Sequence, residues 1–78
     1  MDLNSFISHF REQFDLIEDD VVIAPDTEFR SLEDWDSLVA LSVIAMADDE
    51  YNVELNGDDI RGATTVADLY AIVERKKS

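Results

Sequence analysis

Apolar residues recur with a helical period in three stretches of the chain. Leu3, Phe6, Ile7, Phe10 and Phe14 stand at i, i+3, i+4, i+7 and i+11, one face of an amphipathic helix expected over about residues 3–16. Asp2 or Asn4 can cap it, and Arg11, Glu12 and Gln13 fall outside the stripe. Leu38, Leu41, Val43, Ile44, Ala47 and Tyr51 give a second stripe, over about residues 37–51, with Asp36 as its N-cap. Val66, Leu69, Ile72 and Val73 form the inner face of a last helix opening at Thr64-Thr65, where Thr65 and Asp68 have the spacing of a capping box. Between the second and last helices, Asn56-Gly57 marks a turn, and Asp58-Asp59-Ile60-Arg61 suffices for one short helical turn.

Residues 17–35 keep no period. Glu18-Asp19-Asp20 is an acidic run, Val21-Val22-Ile23 is apolar, and Pro25-Asp26 signals a turn. A connection of that length in a compact domain wraps a surface or carries function. Val22, Ile23, Phe29 and Leu32 are expected to pin it across the helices. A strand at Val21-Val22-Ile23 is rejected because no second strand is present to pair with it. Trp35 either anchors the loop on the core or stands partly exposed and helps to present its neighbour Ser37. The expectation is all-α: a four-helix bundle of three principal helices and a short third one, forming a single domain over residues 1–78.

Composition narrows the function. Nineteen acidic against six basic residues give a formal charge of −13 over 78 residues. Nucleic acid and anionic membranes repel such a surface, whereas basic protein surfaces attract it at long range. Self-repulsion strains a fold this small, so salt is expected to raise its melting temperature. The 46% apolar content, with its clear period, argues against disorder. With no cysteine, disulfides and thiolate metal sites are excluded. No apolar run reaches the roughly 18 residues of a membrane span, and Met1-Asp2-Leu3-Asn4 is unlike a signal peptide, so a cytoplasmic monomer without membrane insertion is expected.

Ser37 is the candidate for chemistry. It opens the second helix behind Asp36, where free backbone N–H groups and the positive end of the helix dipole favour a phosphate group. Catalysis by Ser37 lacks a partner. His9 is the sole imidazole, an Asp36 adjacent to Ser37 is badly placed to orient it, and the only glycines, Gly57 and Gly62, make no oxyanion loop. His9, beside the first stripe, is expected to face solvent. The carboxylates between Asp48 and Asp59 lack calcium-loop spacing, so no metal site is expected. Asp48-Asp49-Glu50 at the C-terminal end of the second helix opposes the dipole and is either a partner surface or a solvated helix end. The basic Arg75-Lys76-Lys77 suits the negative end of the last helix.

At these residues the chain resembles the acyl carrier protein family, in its discrete form. The resemblance rests on Asp36-Ser37-Leu38, the apolar first helix, the long loop with Phe29, the acidic end of the second helix closing in Tyr51, and Thr64-Thr65-Val66. It implies a carrier with no catalytic residues of its own. Ser37 would take a 4′-phosphopantetheine arm from coenzyme A through a magnesium-dependent phosphopantetheinyl transferase, and the arm's thiol would carry acyl groups as thioesters. Basic patches of acyl- or aminoacyl-loading and acyl-transfer enzymes would dock on Asp36, Leu38, Val39, Asp48 and Asp49. Val43, Ile44, Ala47, Ile60 and Ile72 are either core packing or the walls of an acyl pocket. Several positions depart from fatty-acid carriers: Asp34 replaces a usual glycine, Val39 and Ser42 replace usual acidic residues, and Ala47 replaces a larger aliphatic one. The resemblance implies work in fatty acid, polyketide or related specialised biosynthesis. Within it, these departures point to a specialised carrier, for polyketide, peptide-type, lipid or surface-polysaccharide chemistry. An aminoacyl or peptidyl carrier is the alternative within the class, and an unmodified acidic adaptor the alternative outside it.

Overall fold

The computed structural model describes residues 2–14 and 21–77. Its helices are α1 (Leu3–Arg11), α2 (Ser37–Tyr51), α3 (Gly57–Gly62) and α4 (Val66–Lys77), with a 3₁₀ turn at Phe29–Ser31. No strand occurs among the described residues. The all-α, four-helix arrangement is therefore the one the hydrophobic pattern predicts.

Each helix starts where a short polar side chain can take its free N–H groups. Asp2 caps α1, its carboxylate accepting from the Ser5 N–H at 2.8 Å. Asp36 caps α2 by accepting from the Val39 N–H at 2.9 Å. Asn56 and Asp59 make a reciprocal capping box on α3, at 2.9 and 3.1 Å. The predicted box on α4 is also formed: Asp68 N–H donates to Thr65 Oγ1, and Asp68 Oδ2 accepts from the N–H groups of Thr65 and Thr64, all at 3.1 Å. Those bonds hold the Asp68 carboxyl below its ordinary pKa of 3.8.

Helix α1 is shorter than its stripe. After Arg11 the Gln13 and Phe14 N–H groups donate to Phe10 and Arg11 carbonyls, each three residues back, so the coil tightens and the helix stops. Phe14 is buried all the same. The predicted extension to residues 15–16 and the Glu18-Asp19-Asp20 run lie outside the described residues.

The long connection is fastened at both ends. Arg11 donates to the Val21 carbonyl. Around the Pro25-Asp26 turn, the carbonyls of Pro25 and Thr27 accept from the Ala67 and Val66 N–H groups at 2.9 and 3.1 Å. Loop backbone thereby satisfies the first donors of α4, which no residue within that helix can reach. Ile23 and Phe29 are buried and Leu32 packs on the core, as predicted, but Val22 is 76% exposed. Outside a helix, adjacent side chains cannot both face one core, and Ile23 takes the inward place.

Helix α2 has the predicted bounds but a different inner face. Val39, Val43, Met46, Ala47 and Tyr51 are buried, while Leu38 and Leu41, expected on the inner stripe, are 73% and 62% exposed. The segment is apolar on nearly every side, so its period leaves the phase open, and packing decides it. Asn52 ends the helix in the left-handed region (φ 59°), and the Val53 N–H reaches back to the Ala47 carbonyl at 3.2 Å.

Aromatic rings fill the core at two levels. Phe6 packs against Tyr51 and Tyr70, with centroids 5.8 and 5.5 Å away. Phe10, Phe14, Phe29 and Trp35 form the second group, in which the Trp35 ring lies parallel to Phe10 at 6.2 Å. Trp35 is half-buried and does anchor the loop.

Candidate functional site

Ser37 is exposed and is the first helical residue of α2. The Asp36 carboxylate is spent on the Val39 N–H, and the Asp36 carbonyl accepts from Ala40 at 3.0 Å. The N–H groups of Ser37 and Leu38 have no acceptor within the helix, which leaves two donors and the positive dipole end beside the serine hydroxyl. That environment suits a phosphodiester.

Among the described residues, nothing around Ser37 makes it a nucleophile in its own right. His9 Nδ1 and the Tyr51 hydroxyl share a hydrogen bond of 2.8 Å, and His9 Nε2 stands 3.9 Å from Glu50. Tyr51 ends α2, fourteen residues beyond Ser37, or about 21 Å at the helical rise of 1.5 Å per residue. The imidazole is thus at the wrong end of the helix to serve the hydroxyl. It is also half-buried against Tyr51, which corrects the expectation that it simply faces solvent. Burial, with the Glu50 carboxylate next, raises the Tyr51 pKa above 10.0.

Four of the five predicted docking residues lie on, beside or at the head of one outward ridge of α2. Ser37, Leu41, Ala45 and Asp48 follow one another at spacings of four, four and three, and all are exposed, as are Leu38 and Asp49 beside them. Asp36 is exposed too, at the head of the ridge. Val39 does not belong there. It is 8% exposed, because it faces the core one turn before Val43, and its docking role is withdrawn. Leu41 is exposed on that ridge instead, and an apolar residue in an apolar helix gives no signal of which way it faces.

A cavity of about 200 Å³ opens next to the serine, between the turn after α1 and the first turns of α2. Both chain neighbours of Ser37, Asp36 and Leu38, line it, together with Gln13, Phe14, Asp34, Val39 and Ser42. None of the five residues weighed as acyl-pocket walls takes part. Val43, Ala47 and Ile60 are packed in the core, and Ile44 and Ile72 lie at its edge, with Ile72 also on a second, polar hollow beside Asp58, Asp59 and Arg75.

The far end of α2 is acidic but not loose. Lys77 Nζ donates to the Tyr51 carbonyl at 3.2 Å, so a cation from α4 offsets the negative end of α2. Lys76 Nζ donates to the Glu54 carbonyl at 3.2 Å and pairs with Asp59 at 2.8 Å, which lowers the Asp59 pKa below 3.8. The basic end of α4 therefore serves its neighbours as well as its own dipole. Asp48 and Asp49 stay on the surface. Among the described residues, no group of acidic or histidine side chains is arranged to hold a metal ion, and no helix is long and apolar enough to cross a membrane.

Residues 4–73 match the family model described as a phosphopantetheine attachment site. The fold is similar to that of a holo acyl carrier protein from Geobacter metallireducens solved by NMR, at 26% identity and a TM-score of 0.74, covering 95% of this chain and 83% of that one. No curated protein matches the sequence at a significant level.

Proposed function

The chain belongs to the phosphopantetheine-attachment family of acyl carrier proteins, and on that premise we propose that Ser37 is the residue that bears the arm. The protein is a carrier and not an enzyme, with 4′-phosphopantetheine as its covalent prosthetic group, and it works with a phosphopantetheinyl transferase and acyl-handling enzymes. One observation supports Ser37 above all: it is an exposed hydroxyl at the first position of α2, directly behind the capping Asp36. In the loading step the Ser37 Oγ–P bond forms and the diphosphate P–O bond of coenzyme A breaks. The hydroxyl proton goes to a base on the transferase, and the nucleotide bisphosphate leaves. Once attached, the arm supplies a thiol for thioester linkage. The Ser37 and Leu38 N–H groups would hold the phosphate oxygens, and the outward ridge from Leu41 to Asp48 would meet the partner.

The cargo we read as fatty acyl, polyketide or related specialised acyl chains. The support is the first half of α2, where exposed Leu38 and Leu41 replace charge as the main contact, so that partners dock through an apolar centre with basic residues toward Asp48 and Asp49. The same apolar half suits an aminoacyl or peptidyl carrier, separable by which activating enzyme loads it. Family membership displaces the reading as an unmodified adaptor. A charge of −13 opposes self-association and favours a monomer.

The test is intact mass after incubation with coenzyme A, magnesium and a broad-specificity phosphopantetheinyl transferase. A gain of one phosphopantetheinyl group, absent in Ser37→Ala, is expected. A Ser37→Ala protein that still gains the group would place the attachment elsewhere.

A further inference from the structure

We propose that the cavity beside Ser37 receives the branched, gem-dimethyl part of the attached arm, so that the arm folds back against α1 and the start of α2 instead of standing in solvent. The inference rests on the assignment of Ser37 as the attachment residue. Its starting point is a coincidence of sequence and structure. Val39 and Ser42, the two positions where acidic residues are usual in fatty-acid carriers, both line this cavity. Carboxylates there would fill and charge it; a valine and a serine leave it open, with apolar walls at Phe14, Leu38 and Val39 facing polar ones at Gln13 and Ser42.

Size and chemistry fit this occupant. A cavity of about 200 Å³ takes roughly six or seven groups of the volume of a water molecule, about 30 Å³ each. A quaternary carbon with two methyls, its flanking methylene and the adjoining carbinol amount to that. These atoms follow the phosphate directly, so an arm anchored at Ser37 reaches the cavity without crossing any surface. Phe14, Val39 and Leu38 offer the methyls apolar contact. Gln13 donates its amide N–H to the His9 carbonyl at 2.8 Å, which leaves its side-chain carbonyl to accept from the arm's hydroxyl or first amide. Asp34 and Asp36 stand at the rim and are exposed. Their charges repel the phosphodiester, which stays at the helix N-terminus, and leave the interior to the neutral part of the arm.

The experiment uses the full chain loaded with an arm carrying ¹³C-labelled geminal methyls. Isotope-filtered NOE spectra should show contacts from those methyls to the Phe14 ring and the Val39 methyls. In Ser42→Leu, a half-buried position where added bulk fills the cavity, the same mass gain should occur and those contacts should vanish. Gln13→Ala, which removes the polar partner on the α1 side, should weaken them. A loaded wild-type carrier whose arm methyls show no contact with Phe14 or Val39 overturns this inference alone. No mass gain at all overturns the assignment of Ser37 and this inference with it.

Discussion

The two ends of helix α2 are built in opposite ways. At its start the helix is held by one cap, Asp36 to Val39, while Leu38 and Leu41 point their apolar side chains into water. At its finish, Asn52 turns the chain, Lys77 meets the Tyr51 carbonyl, Tyr51 shares a hydrogen bond with His9, and Lys76 ties the following segment to Asp59. Exposed leucines cost solvation free energy that a purely structural helix would avoid. Their presence beside the serine, against the dense bonding at the opposite end, supports the proposal that the outward side of the first half of the helix is kept for partners, while the far end is what the fold is tied to.

The sharpest break of this contrast is a large-to-small change on each side of it. Phe6→Ala removes the ring that packs on Tyr51 and Tyr70 and should destabilise by about 3–5 kcal/mol, enough to unfold much of a small domain. Leu38→Ala and Leu41→Ala should each stay within about 0.5 kcal/mol in denaturant titrations. A cost for either leucine near that of Phe6 would make the open end part of the core.

Function should invert the order. Leu41→Glu puts a charge in the middle of the outward ridge. It should slow transferase loading by about tenfold, the equivalent of about 1.4 kcal/mol, with no loss of melting temperature. Measured across ionic strengths, the wild-type rate should fall as salt rises, because Asp48 and Asp49 steer the encounter through water. An unaltered rate in Leu41→Glu would remove Leu41 from the interface.

The same contrast decides what could be read from sequence. Helix bounds were legible wherever a capping residue is local: Asp36 starts α2, and Thr65 with Asp68 starts α4. The place of Ser37 at the head of α2 was legible because its signal, an Asp-Ser pair opening a helix, is also local. What was not legible depends on residues far apart in the chain. His9 meets Tyr51 across 42 positions, and nothing in its own neighbourhood announces that. The inner face of α2 differs from the expected one because Leu38 and Leu41 are as apolar as Val39 and Val43, and only burial in the assembled core distinguishes them. The cavity escaped for a related reason. Val39 and Ser42 were recognised as unusual, but Gln13 and Phe14, which complete it, come from the other side of the long connection.

A smaller effect separates the caps. Asp36→Ala should cost about 1 kcal/mol of stability, the usual value for an N-cap. Lys77→Ala at the other end should cost less than about 0.5 kcal/mol, because one exposed lysine among several bonds is easily spared. If Lys77→Ala proved the more damaging, the single cap at the open end would not be what holds it.

The smallest expected effect concerns pH, and it belongs to the bonded half of the molecule. Asp59 and Asp68 both have pKa values lowered below 3.8, Asp59 first by Lys76 and Asp68 first by the Thr65 N–H. A carboxylate whose folded pKa is depressed adds stability above its unfolded value, and that contribution is lost as pH falls through the folded one. Acid also neutralises the repulsion within a chain of charge −13, which pushes stability the opposite way, so a wild-type pH profile alone mixes two signs. Comparing wild type with Asp68→Asn separates them, since the overall charge titrates almost alike in both. The wild type should be the more stable near neutral pH. The gap should close only as pH drops below 3.8, where Asp68 takes up a proton and releases the Thr64 and Thr65 N–H groups. A gap that stays constant down to pH 2 would mean that the cap works through its shape and not its charge.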